Sequence, residues 1–317
     1  MLAAVLTAFC FALSAVTGQK VAVRLGAMWG NLLRLVIAAL VLGAVVLAVW
    51  PETLRAQSFC WFFLSGLVGF GLGDVALFLA YERLGSRLTI LLNLCLAPVF
   101  AMALEWLWLG NALGYRVVLC VGMILAGVTM ALRPGTDHRQ RMERRGRFGV
   151  GVAAAVVAGL GQGFGAVISR KAESVAVGIG LEINGISAAF QRVLAGLVFA
   201  ALTVAAIQLV RRWRERKAGP GAGKPPLGPG ISLPRGAALL WLLGAALFGP
   251  VIGVSCFQWA LISLESGIVL AVVATTPIVM MPLAALSEGD HPTRLAIVGA
   301  VVGVVGVVLL NLWARAV

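Results

Sequence analysis

RPGTDHRQRMERRGR, residues 133–147, sets six arginines and a Pro-Gly pair between two long apolar regions. Pro134-Gly135 stops a helix, and the cations hold the segment at a cytosolic lipid surface. Five apolar stretches precede it, at residues 1–18, 25–50, 58–80, 88–110 and 113–132. Five follow, at 148–169, 184–210, 236–262, 267–286 and 295–313. Each approaches the ~20 residues that a helix rising ~1.5 Å per residue needs to cross a ~30 Å hydrocarbon core. Because five is odd, a second set with the fold of the first must enter the membrane from the opposite side. The expected fold is therefore an all-α polytopic membrane protein of ten transmembrane helices, arranged as two inverted five-helix repeats. Residues 1–132 form the first repeat, 133–147 a basic linker, and 148–317 the second repeat with a flexible loop at 211–235. Within that loop, residues 219–234 hold five prolines and five glycines, a composition with nothing to pack.

Composition agrees. The 317 residues are 61% hydrophobic and their mean hydropathy is +1.01, which leaves too little polar surface for a water-soluble fold. The first stretch lacks a charged region before it and an Ala-x-Ala cleavage site after it, so it reads as a retained helix. A net charge of +13 raises nucleic acid as a partner, but 18 of the 25 Lys and Arg fall in alternate loops. Basic charge is here a topology label and not a nucleic-acid footprint. The tally puts the odd-numbered loops in the cytoplasm and both termini outside. Cys10, Cys60, Cys95, Cys120 and Cys256 lie in apolar stretches without a Cys-x-x-Cys pair and read as small core residues. His138 and His291 both fall in loops. No metal site and no cofactor is expected.

The halves share an order of residues. Ala15-Val16 and Lys20 recur as Ala166-Val167 and Lys171, Arg34 recurs as Arg192, and Pro98, Met102 and Leu104 recur as Pro277, Met281 and Leu283. Small residues at helical spacing mark close backbone contacts: Gly69 and Gly73, Gly161 and Gly165, Gly122 and Gly127, and Gly299, Gly303 and Gly306.

Trp259-Ala260-Leu261, Pro277, Glu288-Gly289, Gly299-Ala300, Gly303 and Gly306 form a proline-centred helix, an acidic end and a closing glycine-rich helix. Ala80-Tyr81, Leu84, Pro98, Leu109-Gly110, Gly122 and Gly127 follow the same order in the first half, with Asn111 in place of an acidic residue. This pattern resembles the EamA family of the drug/metabolite transporter superfamily, and the family's arginine in the second helix matches Arg34 and Arg192. The resemblance implies a permease or exporter of small metabolites such as amino acids, coupled to protons or to exchange. The expected location is the plasma (inner) membrane, and the resemblance implies, against the charge tally, cytoplasmic termini. The expected partners are a small-molecule substrate and the bilayer, and the chain could act as a monomer or a homodimer.

An ionisable residue at a helix centre costs about 2.5–3.5 kcal/mol on insertion scales, so each needs a reason. Asp74 follows a glycine run in the third stretch and suits either cation binding and proton coupling or a structural pair with Arg34. Arg34 and Arg192 can snorkel to the headgroups or bind an anionic substrate group. Glu105, among Trp106 and Trp108, suits an interfacial anchor or a coupling role. Asn93, Gln162, Gln191 and Gln258, with Tyr81 and Trp259, are candidates to line a central cavity or to bond helix to helix. Pro98 and Pro277 are candidate gating hinges. Two other classes stay open: a noncatalytic assembly or lipid-handling protein, and a membrane enzyme. The second lacks a nucleophile and base or a metal cluster within the stretches.

Overall fold

Long apolar runs without charge become helices in lipid, because every backbone N–H and C=O must find its partner within the segment. A computed structural model describes residues 1–54, 57–109, 115–131, 148–218, 236–263, 269, 272–289 and 292–313, and no strand occurs among them. The helices are α1 (Leu2–Leu25), α2 (Ala27–Val49), α3 (Ser58–Leu84), α4 (Ser86–Leu109) and α5 (Tyr115–Ala131). They continue as α6 (Phe148–Gly178), α7 (Gly185–Ala218), α8 (Ala237–Ile262), α9 (Thr276–Glu288) and α10 (Arg294–Trp313). Seven of them, α1 to α4 and α6 to α8, are long and apolar enough to cross a membrane. Shorter apolar helices run through Leu119–Ala131 and Arg294–Leu310.

Several boundaries differ from expectation. α1 runs past Gly18 to Leu25, so Lys20 and Arg24 sit on a helix and not in a loop. α7 continues to Ala218, which makes residues 211–218 helical where the flexible loop was expected to begin. The basic linker at 133–147 and the remainder of that loop, 219–235, lie outside the described residues. In the ninth stretch a turn at Ala274-Thr275 precedes α9. There the Thr275 and Thr276 hydroxyls donate to the Val272 and Val273 carbonyls. Pro277 consequently stands in the first turn of α9, where its missing N–H costs little, whereas Pro98 lies inside α4.

Two helices are interrupted without being broken. Leu67–Gly73 in α3 and Leu247–Val251 in α8 form π-helical turns, each wider than the α turns on either side. Such bulges shift the side chains after them around the helix axis and concentrate at functional sites. Gly69, Gly71 and Gly73 occupy the first and Gly249-Pro250 the second.

Helices gain little from hydrophobic burial against one another in lipid, so close packing and interhelical hydrogen bonds hold them. Gly69 and Gly73 of α3 face Gly165 and Gly161 of α6, and a Cβ on Gly161 would stand 2.7 Å from the Gly73 Cα. Beside this seam the Ser65 hydroxyl donates to the Gly165 carbonyl at 2.6 Å. Gly127 of α5 meets Gly299 and Gly303 of α10 in the same way, but Gly122 faces open space and takes no part in the seam. The helix contacts come in matched sets: α1 packs on α8 and α6 on α3, α4 on α6 and α9 on α1, α3 on α7 and α8 on α2. α2 with α7 and α5 with α10 complete the pattern. Leu40, Leu47, Leu202 and Leu240 stay on the outside, while Arg34, Asn31, Asn93, Gln191, Arg192 and Gln258 are buried. This inside-out distribution suits a lipid surround.

Candidate functional site

The α3 π turn ends at Gly73, so Asp74 projects inward at the start of the α-helical continuation. Its carboxylate forms an ion pair with Arg34 of α2. Arg34 also donates to Asn31 Oδ1 at 3.1 Å and lies 4.8 Å over the Phe78 ring. Every strong interaction of this guanidinium is thus internal.

Arg192 of α7 has the opposite circumstances. It stacks 5.5 Å from the Phe70 ring, and whereas the Nε of both arginines is buried without a hydrogen-bond partner, among the described residues no carboxylate forms an ion pair with Arg192. Room for its side chain comes from glycine: a Cβ on Gly69 would stand 3.0 Å from its terminal nitrogen and one on Gly165 3.3 Å. Arg34 approaches α8 similarly, 3.1 Å from where a Gly249 Cβ would be. Each arginine therefore reaches the π turn of the helix in the other half of the chain. Arg34 and Arg192 are only 4% and 3% exposed, so both point inward instead of snorkelling.

These groups line one cavity. Its walls include Arg34, Asp74, Tyr81, Asn93, Gln162 and Arg192, with Ser14 and the π-turn residues Gly69, Phe70, Gly249 and Pro250. Phe11, Leu77, Ile90, Leu94, Val254 and Phe257 supply an apolar wall. Measured at the centres of water-sized spheres its volume is about 60 Å³, against the ~10–15 Å³ that admits one water. It has space for a small organic molecule of a few carbons.

Other expected site residues fall elsewhere. Gln258 accepts from the Ser169 hydroxyl at 2.9 Å and ties α8 to α6. Gln191 donates to the Thr53 carbonyl at 3.1 Å. Trp259 is 56% exposed on the outside of α8 and does not line the cavity. Glu105 lies in α4, and its side chain is outside the described residues. Sequence reasoning missed Ser14, Phe11 and Phe257, and missed the π turns, whose signal was the run Gly69-Phe70-Gly71-Leu72-Gly73 and the triplet Phe248-Gly249-Pro250.

A second polar cluster lies at the junction of α1, α3, α4 and α9. Gly85, the single residue between α3 and α4, has φ 79°, a backbone state that only glycine adopts freely. The α4 N-terminus is capped by another helix: Glu288 accepts from the Ser86 hydroxyl and, at 3.2 Å, from the Ser86 N–H. Lys20 donates to the Ser287 carbonyl.

Apolar helices facing lipid around a charged internal cavity define an integral membrane protein whose chemistry is internal, as in helical transporters. The sequence pattern of the EamA-like transporter family matches residues 1–133 and 149–312. The chain belongs to this family of membrane transporters, within the drug/metabolite transporter superfamily. One solved crystal structure matches it over 99% of this chain and 98% of its own, at 18% identity and a TM-score of 0.61, and shows a shared fold. No curated protein matches the sequence.

Proposed function

We propose that the protein is a secondary carrier of small metabolites such as amino acids, working by alternating access in the plasma (inner) membrane. In this reading residues 1–132 and 148–317 are two inverted repeats of five spans joined by the basic linker. The matched helix contacts and the two π turns support it. Rocking of one repeat against the other would expose the cavity to each side in turn, driven by a proton gradient or by exchange.

The observation that carries the proposal is the cavity lined by Arg34, Asp74 and Arg192. Three ionisable groups inside lipid-length helices carry an insertion cost that packing alone does not require. A lipid-handling or scaffold protein has no use for them. Asp74 is the residue assigned to coupling, because its carboxylate is shared between Arg34 and the cavity and can exchange a partner when substrate or a proton arrives. Asp74→Asn in proteoliposomes should abolish transport or uncouple it from the driving gradient while the protein stays folded. Full coupled flux in that variant would remove Asp74 from the mechanism.

A further inference from the structure

The two arginines differ in what answers their charge. Arg34 is neutralised by Asp74 of the neighbouring helix α3. At the offset that aligns Pro98 with Pro277, the counterpart of Asp74 is Gly253 of α8. A carboxylate has no room there, since even a Cβ on Gly253 would stand 2.5 Å from the Phe248 carbonyl oxygen and 3.0 Å from the Phe11 ring. Arg192 thus has no ion-pair partner among the described residues: Asp74 is held by Arg34, and Glu173 of α6 acts on Arg192 only through space, so the buried guanidinium gains from a counter-charge that enters beside it. The charged groups that line the cavity, Arg34, Asp74 and Arg192, sum to a single positive charge.

Resting on the carrier reading above, we infer that the transported solute is a small organic monoanion whose carboxylate pairs with Arg192. The planar fork of a guanidinium takes a carboxylate through two parallel hydrogen bonds. Phe70 packs against the guanidinium, 5.5 Å from ring centroid to its central carbon. Phe11, Leu77, Ile90, Leu94, Val254 and Phe257 receive the carbon chain, and the cavity has room for one of a few carbons. A dianion would leave a net negative charge in the cavity, and a cation would add to the positive one.

The full-length protein in lipid nanodiscs tests this by ligand-dependent thermal stabilisation. The probes are acetate, propionate, butyrate and valerate, with their primary amides, butylamine, inorganic phosphate and chloride. The best carboxylate should bind about 10- to 100-fold more tightly than its amide, the range of a charge-assisted hydrogen bond. Arg192→Lys should weaken it about tenfold, and Arg192→Gln should bind carboxylate and amide alike. Ligand-free melting of each variant shows that it is folded, and Arg192→Lys carries the test if Arg192→Gln is not. Equal affinity for carboxylate and amide in the wild type, tighter binding of butylamine, phosphate or chloride, or retained carboxylate preference in a folded Arg192→Gln protein overturns the inference. Carboxylate-selective binding with no flux in proteoliposomes removes the carrier and keeps the site. Flux of a neutral or cationic solute untouched by Arg192→Gln removes the site and keeps the carrier.

Discussion

Arg34 and Asp74 answer each other's charge inside the bundle, so removing one leaves the other stranded. Arg34→Gln is expected to destabilise the protein by about 3–5 kcal/mol, the cost of a buried charge that has lost its partner. Arg34→Gln combined with Asp74→Asn removes both charges and should recover most of that loss. Equilibrium unfolding in detergent, run as a double-mutant cycle, measures the difference. A double variant no more stable than Arg34→Gln alone would show that the pair is not the source. Gly66 gives a second contrast at this scale. A Cβ there would stand 2.2 Å from the Arg192 carbonyl oxygen, in backbone that cannot step aside, whereas one on Gly122 meets nothing. Gly66→Ala should cost about 1–3 kcal/mol through overpacking and disturb Arg192, while Gly122→Ala should be neutral or slightly stabilising. The same unfolding measurement ranks them.

At the scale of elements, the cap on α4 joins parts of the chain 202 residues apart. An N-terminal cap contributes about 0.5–2 kcal/mol, and Glu288→Ala should lose an amount in this range. Ser86→Ala should lose less, because the Ser86 backbone N–H still donates to Glu288. Equal losses in thermal unfolding would mean that the hydroxyl alone matters. The cap also shows what a sequence reveals and what it does not. The apolar runs were legible because lipid imposes a length and excludes charge, and Asp74, Arg34 and Arg192 stood out against that background for the same reason. The inward aim of the arginines was not legible, because it depends on glycines 69, 165 and 249 of other helices leaving them space. Nor was the outward face of Trp259, since α8 carries only Ser255 and Gln258 as polar side chains, too few to give its orientation. The π turn of α3 lies where α7 packs on Gly66 and Phe70, and that of α8 where Ser14 and Arg34 approach Gly249, tertiary contacts with only a glycine run as their trace. Pro277 and Pro98 matched in sequence yet occupy a helix start and a helix interior, because the turn at Ala274-Thr275 restarts the helix just before Pro277.

For the whole molecule, the distribution of charge and the parity of spans make one joint prediction. Between residues 133–147 and the Pro/Gly-rich loop at 219–235 lie α6 and α7, both long and apolar enough to cross a membrane. Two crossings return the chain to the side from which it left. The six arginines of the first segment and the Lys and Arg of the second then face the same compartment, the cytoplasm by the positive-inside rule. Glu288, Ser86 and Lys20 meet at the ends of α9, α4 and α1, which in a ten-span chain is that same side. Gln140→Cys and Gly230→Cys should therefore both react with a membrane-impermeant maleimide in inverted vesicles and be protected in intact cells. If five spans precede the linker, a cysteine replacing Ala3 should show the reverse accessibility. Labelling of positions 140 and 230 from opposite sides would remove α6 or α7 as a crossing. Labelling of positions 3 and 140 from the same side would leave an even number of spans before the linker, and with it the inverted relation of the two halves would fail.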